Sequence, residues 1–164
     1  MLSLMIMRHG KSDWDTGARD DHDRPLSPRG VASAERMGEV IRDLGLDPDL
    51  VISSTARRAR ATAELARITG GWHSRLVLED ALYGTSVATT IDVLARLGGD
   101  TPRIMLVGHQ PVWSLLVAHL TGARCVMRTA TVADIELTSH DWTSIREGAG
   151  TLGTLLQARS FLSE

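Results

Sequence analysis

Arg8-His9-Gly10 directly follows the apolar run of residues 2–7, and a cation beside a potential nucleophile at such a junction points to the handling of an anion. The run Leu-Ser-Leu-Met-Ile-Met suits a strand buried on both faces. Arg8 and His9 then lie at a strand's carboxyl end, where open α/β sheets bind ligands. Gly10 is expected to let the backbone turn sharply and to leave room for a bulky anion. Three more segments accompany this one: Asp23-Arg24-Pro25-Leu26-Ser27-Pro28-Arg29-Gly30, Ser53-Ser54-Thr55-Ala56-Arg57-Arg58-Ala59-Arg60-Ala61-Thr62-Ala63, and Val107-Gly108-His109-Gln110-Pro111. Each sits where a strand gives way to a helix or where a helix begins.

In a parallel sheet the carboxyl ends of the strands share one rim, so Arg8-His9, Arg57-Arg58 and His109 can converge although they are far apart in the chain. Guanidiniums and imidazoles around one cavity make a cationic anion site. The planar fork of arginine gives paired hydrogen bonds to phosphoryl oxygens, which suits a transferring group whose charge is spread over three oxygens. An imidazole attacks phosphorus only when neutral, and clustered positive charge is expected to lower the pKa of His9. The arginines and a protonated His109 would stabilise the transferring charge without a metal or other cofactor. A P-loop, Gly-x-x-x-x-Gly-Lys, is absent, as are His-x-x-x-His and Cys-x-x-Cys ligand spacings.

The elements that must position these residues can be read from periodicity. Residues 11–27 are polar, carry five aspartates and read as a long loop, a length that in compact domains tends to be functional. Ser27-Pro28 caps and opens a helix with an apolar stripe at Val31, Ala34, Met37, Ile41 and Leu44, ended by Gly45. A short buried strand is expected at 50–53, an Ala- and Arg-rich helix at 55–69 stopped by Gly70-Gly71, and an alternating strand at 75–79. A helix at 87–97, a buried strand at 103–107, a helix opening at 108–111 and running to about Leu120, and closing strands at 132–137 and 151–158 complete the chain. Strands alternating with helices in this way predict a three-layer α/β fold: a largely parallel central sheet with helices on both faces.

The 164 residues favour one domain spanning 1–164. A net charge of −2 with mixed signs gives neither a basic footprint for nucleic acid nor a polybasic membrane patch. No stretch approaches the length of a membrane span, and the single cysteine, Cys125, reads as a buried structural thiol in a reducing, cytoplasmic setting. Arg60 is expected to pair with Glu64 on a solvated helix face, Trp113 to pack, and His119 to occupy the core or a groove. Asp23, Arg24 and Arg29 fit either an ion pair that fixes the long loop or substrate contact. Lys11 and Ser12 lie close enough to the Arg8-His9 turn to line a pocket and bind substrate, and a local turn role suits Ser12 equally.

Taken together, Leu-Met-Ile-Met-Arg-His-Gly-Lys-Ser-Asp-Trp, Asp-x-Asp-Arg-Pro-Leu-Ser-Pro-Arg-Gly, Ser-Ser-Thr-Ala-Arg-Arg-Ala-Arg-Ala-Thr-Ala, Leu82-Tyr83-Gly84 and Val-Gly-His-Gln-Pro give the chain a resemblance to the histidine phosphatase superfamily. Within it the chain resembles the short SixA-type phosphohistidine phosphatase branch. The resemblance implies a phosphoglycerate mutase-like fold, His9 as the phosphorylated nucleophile, and Arg8 and His109 in the phosphate pocket. The family pattern Ser-Pro-x-x-Arg-Ala-x-x-Thr, counted from Ser54 to Thr62, selects Arg58 as the second arginine, with Thr55 in place of the usual Pro. Relatives that carry a general acid place it four residues before a Gly, a count that falls on Asp80 from Gly84, with Glu79 beside it. The pair can equally end a strand in a solvated turn. The resemblance implies a metal-independent phosphatase acting on protein phosphohistidine. Small phosphomonoesters are the alternative substrate, and a phosphate-binding module without turnover is the alternative outside enzymes.

Overall fold

The computed structural model describes residues 1–163. Its centre is one six-stranded sheet built from β1 (Leu2–Arg8), β2 (Leu50–Ser53), β3 (Arg75–Leu78), β4 (Arg103–Gly108), β5 (Val132–Leu137) and β6 (Gly150–Leu156), in the order β3-β2-β4-β1-β5-β6. The first four are mutually parallel, and β5 and β6 run antiparallel along one edge. The largely parallel α/β sheet expected from the sequence is therefore present.

Strand periodicity explains the layering. On β1, Leu4 and Ile6 point into one core, with Ile52 and Leu106 from the neighbouring strands, and Met5 and Met7 point into the other, with Val51, Met105 and Val107. Helices α1 (Pro28–Asp43) and α2 (Arg57–Gly70) cover the second core, and α3 (Val87–Leu97) and α4 (Val112–Thr121) the first. Such two-sided burial is why β1 reads as a continuous apolar run instead of an alternating one. All four of these β1 side chains are fully buried, so truncating Met5 to Ala would cost about 2–5 kcal/mol.

Helix ends follow the sequence signals closely. Ser27 accepts a hydrogen bond from the Gly30 amide with Pro28 in the first turn, and Gly71 closes α2 with φ of 65°. Helix α2 begins at Arg57, two residues later than its composition suggests, because the chain bends at residues 55 and 56 and Ala56, with ψ of 134°, is not helical. Trp113 is fully buried, and its indole N–H donates to the Met7 carbonyl at 2.8 Å, so it packs behind the end of β1. Cys125 departs from expectation: it is half-buried at the margin of the first core, and burial pushes its thiol pKa up. His119 is partly buried and lines a shallow groove with Val87, Ile91 and Asp92.

Register sets the rim. Arg8 lies opposite Gly108 and Ser53 opposite Val107, so the residues that follow, His9, Ser54 and His109, leave three adjacent strands at the same edge. Because β5 is antiparallel to β1, its first residue, Val132, faces Met7, and segment 127–131 arrives at that rim too.

Candidate active site

His9 is buried (7 % exposed) and closes the turn after β1. Its Nδ1 lies 2.6 Å from the Gly10 carbonyl, an acceptor only, so Nδ1 carries the proton and Nε2 holds the lone pair. That lone pair accepts a hydrogen bond from the Arg58 Nε at 3.4 Å. The imidazole pKa falls from 6.5 to about 3, chiefly through burial and then through the charges of His109, Arg58 and Arg8, while the Gly10 carbonyl opposes the fall. Desolvation, more than the clustered cations expected from the sequence, keeps this ring neutral.

The turn is held from behind. The Gly10 amide donates to Thr62 Oγ1 at 3.0 Å, and the Thr62 hydroxyl donates to the Arg58 carbonyl at 2.7 Å, which ties the histidine turn to the first turns of α2. Gly10 serves a different purpose from the one its position suggests. A Cβ there would meet the Gly30 carbonyl oxygen at 2.7 Å, so the residue lets the first turn of α1 press against the histidine turn and does not reserve space for an anion.

Arg58 projects from the first turn of α2 and is buried (6 % exposed). Nη1 donates to the Asp21 carbonyl at 2.7 Å and Nη2 to the Asp21 carboxylate at 3.0 Å. The same carboxylate accepts from the Tyr83 hydroxyl at 2.7 Å and from Arg24 Nη1 at 2.8 Å. These bonds, that of Tyr83 foremost, hold the Asp21 pKa down to about 2, and the shared carboxylate in turn pushes the Tyr83 pKa up. Asp21 is thus an internal anion seated on the buried Arg58 guanidinium.

His109 lies with its ring centroid 5.2 Å from that of His9. Its Nε2 is 2.8 Å from Ser54 Oγ and its Nδ1 3.5 Å from Arg58 Nη2. Burial and then the Arg58 charge lower its pKa to about 4. At that pKa His109 is neutral near pH 7, so the protonated form expected from the sequence requires an arriving anion to raise its pKa. Arg8 donates through Nη1 to the Met127 carbonyl at 3.1 Å, while its Nε is buried without a partner. Burial and the neighbouring Arg58 lower its pKa as well.

These four side chains line one cavity of about 670 Å³ together with Lys11, Ser12, Asp21, Arg24 and Tyr83. Arg24 organises the long loop: its guanidinium bonds Asp21 and Ser12 Oγ and stacks over the Trp14 ring, 3.3 Å from the centroid. The loop-fixing ion pair thus exists, with Asp21 as its acid in place of Asp23, and Arg29 faces a neighbouring cleft. Arg60 pairs with Glu64 at 2.8 Å, on the exposed face expected of it.

Asp80 and Glu79 are not among the cavity-lining residues. Glu79 caps the short turn Asp80–Leu82 through the Ala81 amide and pairs with Arg96 at 3.0 Å. Asp80 is exposed, and its carboxylate accepts from Thr55 Oγ1 at 2.6 Å. Two side chains that sequence reasoning did not select, Asp21 and Tyr83, do reach the cavity wall, Tyr83 with its ring edge-on to His109. Tyr83 lay inside the Leu-Tyr-Gly motif, so a signal for it was present; Asp21 was one aspartate among five in its loop. Among the described residues no group of three or more His, Cys, Asp or Glu side chains is placed to hold a metal ion, and no helix is long and apolar enough to cross a membrane.

Comparison with known proteins agrees with this geometry. The family model of the histidine phosphatase superfamily (branch 1) matches residues 4–86. An uncharacterized protein of Mycobacterium tuberculosis is 32 % identical over 157 residues, covering 89 % of this chain and 96 % of its own. A 2,3-bisphosphoglycerate-dependent phosphoglycerate mutase of Rhodococcus opacus is 36 % identical over 121 residues, 61 % of this chain and 47 % of the mutase. Among solved structures, a SixA from Nakamurella multipartitia, provisionally described as a phosphohistidine phosphatase, superposes with a TM-score of 0.81 at 26 % identity over 95 % of each chain.

Proposed function

The chain belongs to the histidine phosphatase superfamily, and from that membership we propose that it hydrolyses protein phosphohistidine through a phosphoryl group carried on His9. The observation that carries this reading is the tautomer of His9: Nδ1–H is spent on the Gly10 carbonyl, the Nε2 lone pair is turned to the Arg58 guanidinium and accepts its Nε–H, and the ring is neutral because it is buried. A neutral Nε2 beside Arg58 and Arg8 is a nucleophile facing the cations its electrophile requires.

In the first step the Nε2 lone pair forms the bond to phosphorus in line with the departing group, whose bond to phosphorus breaks. Arg8 and Arg58 bind the phosphoryl oxygens, and His109, its pKa raised by the incoming dianion, donates a further hydrogen bond. Arg58 must share or surrender its Asp21 contacts as the phosphoryl group arrives. In the second step water attacks phosphorus, the bond to His9 breaks, and Nε2 regains its lone pair. No cofactor or metal takes part in these steps.

The substrate class follows from the leaving group. An imidazole leaves readily from phosphohistidine, whereas an alkoxide needs a proton from an acid. Asp80 lies outside the cavity lining, and the Asp21 carboxyl is held ionised, an arrangement poor in acid that suits cleavage of a P–N bond. Hydrolysis of small phosphomonoesters is the second reading, favoured by the likeness to a phosphoglycerate mutase and by Tyr83 at the cavity wall, with Asp80 as its acid if that side chain turns inward. The test compares turnover of a phosphohistidine peptide and a sugar phosphate in EDTA, using wild type, His9→Ala and Asp80→Asn. The reading expects EDTA-resistant, His9-dependent release that favours the peptide and is indifferent to Asp80→Asn. A preference for the sugar phosphate that Asp80→Asn abolishes would establish the second reading. A phosphate-binding module would release nothing from either.

A further inference from the structure

Beside the catalytic cavity lies a second cleft of about 410 Å³ into which four cations project, Lys11, Arg29, Arg128 and Arg159, and no carboxylate of a described residue lines it. In a chain with 20 acidic and 18 basic residues, this is a marked local segregation of charge. None of the four forms an ion pair with a described residue, and all four are exposed; Arg159 makes only a 3.1 Å bond from Nε to the Gln157 side chain.

The cleft adjoins the site. Lys11 and Thr129 line both cavities. Its floor is bonded to the histidine turn itself, since the Arg8 amide donates to the Thr131 carbonyl at 3.0 Å and the Ala130 amide donates to the His9 carbonyl at 3.0 Å. Thr131 is fully buried, and its hydroxyl has no hydrogen-bond partner among the described residues. A third cavity of about 650 Å³ shares Arg29 and Arg159 with the cleft.

We propose that this basic trough docks an acidic polypeptide segment flanking the phosphorylated residue of a protein substrate. The form of the cations decides between a polypeptide and a compact anion. A site built for a small dianion holds buried, hydrogen-bonded forks, as Arg58 does in the adjoining cavity. Exposed side chains without an ion pair to any described residue, set along a trough, instead track successive carboxylates, giving selectivity and encounter rate through long-range attraction. The proposal rests on reading the neighbouring cavity as the site of phosphoryl transfer, and it specifies which phosphoprotein surfaces that site accepts.

The test uses two phosphohistidine peptides that differ only in flanking residues, Asp and Glu in one and Asn and Gln in the other, with wild type and the double variant Arg128→Gln/Arg159→Gln. Wild type should turn over the acidic peptide with kcat/KM about tenfold higher at 50 mM salt, through KM, and this preference should shrink to under threefold at 500 mM salt, where the screening length is about 4–5 Å. The double variant should treat both peptides within twofold of each other and of wild type on the neutral peptide, the latter also establishing that it is folded. Absence of a preference in wild type, or its survival in the variant, overturns the proposal. A sugar bisphosphate that gains an Arg128- and Arg159-dependent advantage over its monophosphate, while the acidic peptide gains none, reassigns the trough to small polyanions. If neither peptide is dephosphorylated the catalytic reading fails, and fluorescence anisotropy of the labelled, unphosphorylated acidic peptide on the same two proteins still decides the docking claim.

Discussion

Burying two neutral imidazoles makes the fold sensitive to acid, and substitution of His9 isolates its share. The His9 pKa is 6.5 before folding and about 3 after it, so between these values the unfolded chain binds a proton that the folded chain refuses. Stability therefore falls as pH drops from about 6.5 toward 3 and is unaffected by this group above that window. At pH 4.5 the unfolded imidazole is almost wholly protonated and the folded one almost wholly neutral, which gives a loss of about 3 kcal/mol relative to pH 7.5. His109, with its pKa at about 4, adds a loss of similar size. Urea denaturation of wild type and His9→Gln at pH 7.5 and 4.5 measures the His9 share. Wild type should lose about 3 kcal/mol more than the variant on acidification. Equal losses in the two proteins would show that His9 titrates normally in the folded state, and the argument for a neutral nucleophile would fall with it.

Other outcomes follow from particular contacts. Arg58→Lys keeps the charge and removes the fork, so kcat/KM should drop by roughly two orders of magnitude or more, and a loss under fivefold would deny the arginine its place on the phosphoryl oxygens. Asp21→Asn removes the anion that occupies Arg58. With that carboxylate half-exposed, relief of repulsion of about 1 kcal/mol should tighten orthophosphate binding about fivefold by calorimetry, and weaker binding would mean that Asp21 supports the site instead of competing for it. Thr62→Val deprives the buried Gly10 amide of its acceptor and should cost about 1–3 kcal/mol in thermal or urea unfolding, along with activity, and an unchanged protein would sever the proposed link between α2 and the histidine turn.

Most of the scaffold was legible because its signals are local. The apolar run of β1, the Ser27-Pro28 cap and the glycine stops each act over a few residues, and all sit where periodicity puts them. The gathering of Arg8, His9, Arg58 and His109 was legible for a topological reason: parallel strands deliver their carboxyl ends to one rim, and motif spacing then singles out Arg58. What escaped depends on tertiary partners. Asp21 is chemically identical to its four neighbouring loop aspartates, and only the folded loop seats it between Arg58, Arg24 and Tyr83. The neutrality of His109 could not be read from charge alone, since the depth of its burial outweighs the carboxylate nearby. Asp80 was reached by counting along the chain, and a count is blind to Thr55, whose hydroxyl holds that carboxylate outside the cavity lining.

The central claim concerns one atom, Nε2 of His9. Rapid mixing with a small phosphoramidate donor, an alkaline quench and peptide mapping would locate any phosphoryl group that the protein acquires. Phosphate that is acid-labile and alkali-stable, carried on Nε2 of His9 and absent from His9→Ala, is the predicted result. Phosphate on Nδ1 or on another residue, or turnover with no phosphorylated protein at any mixing time, would contradict the account.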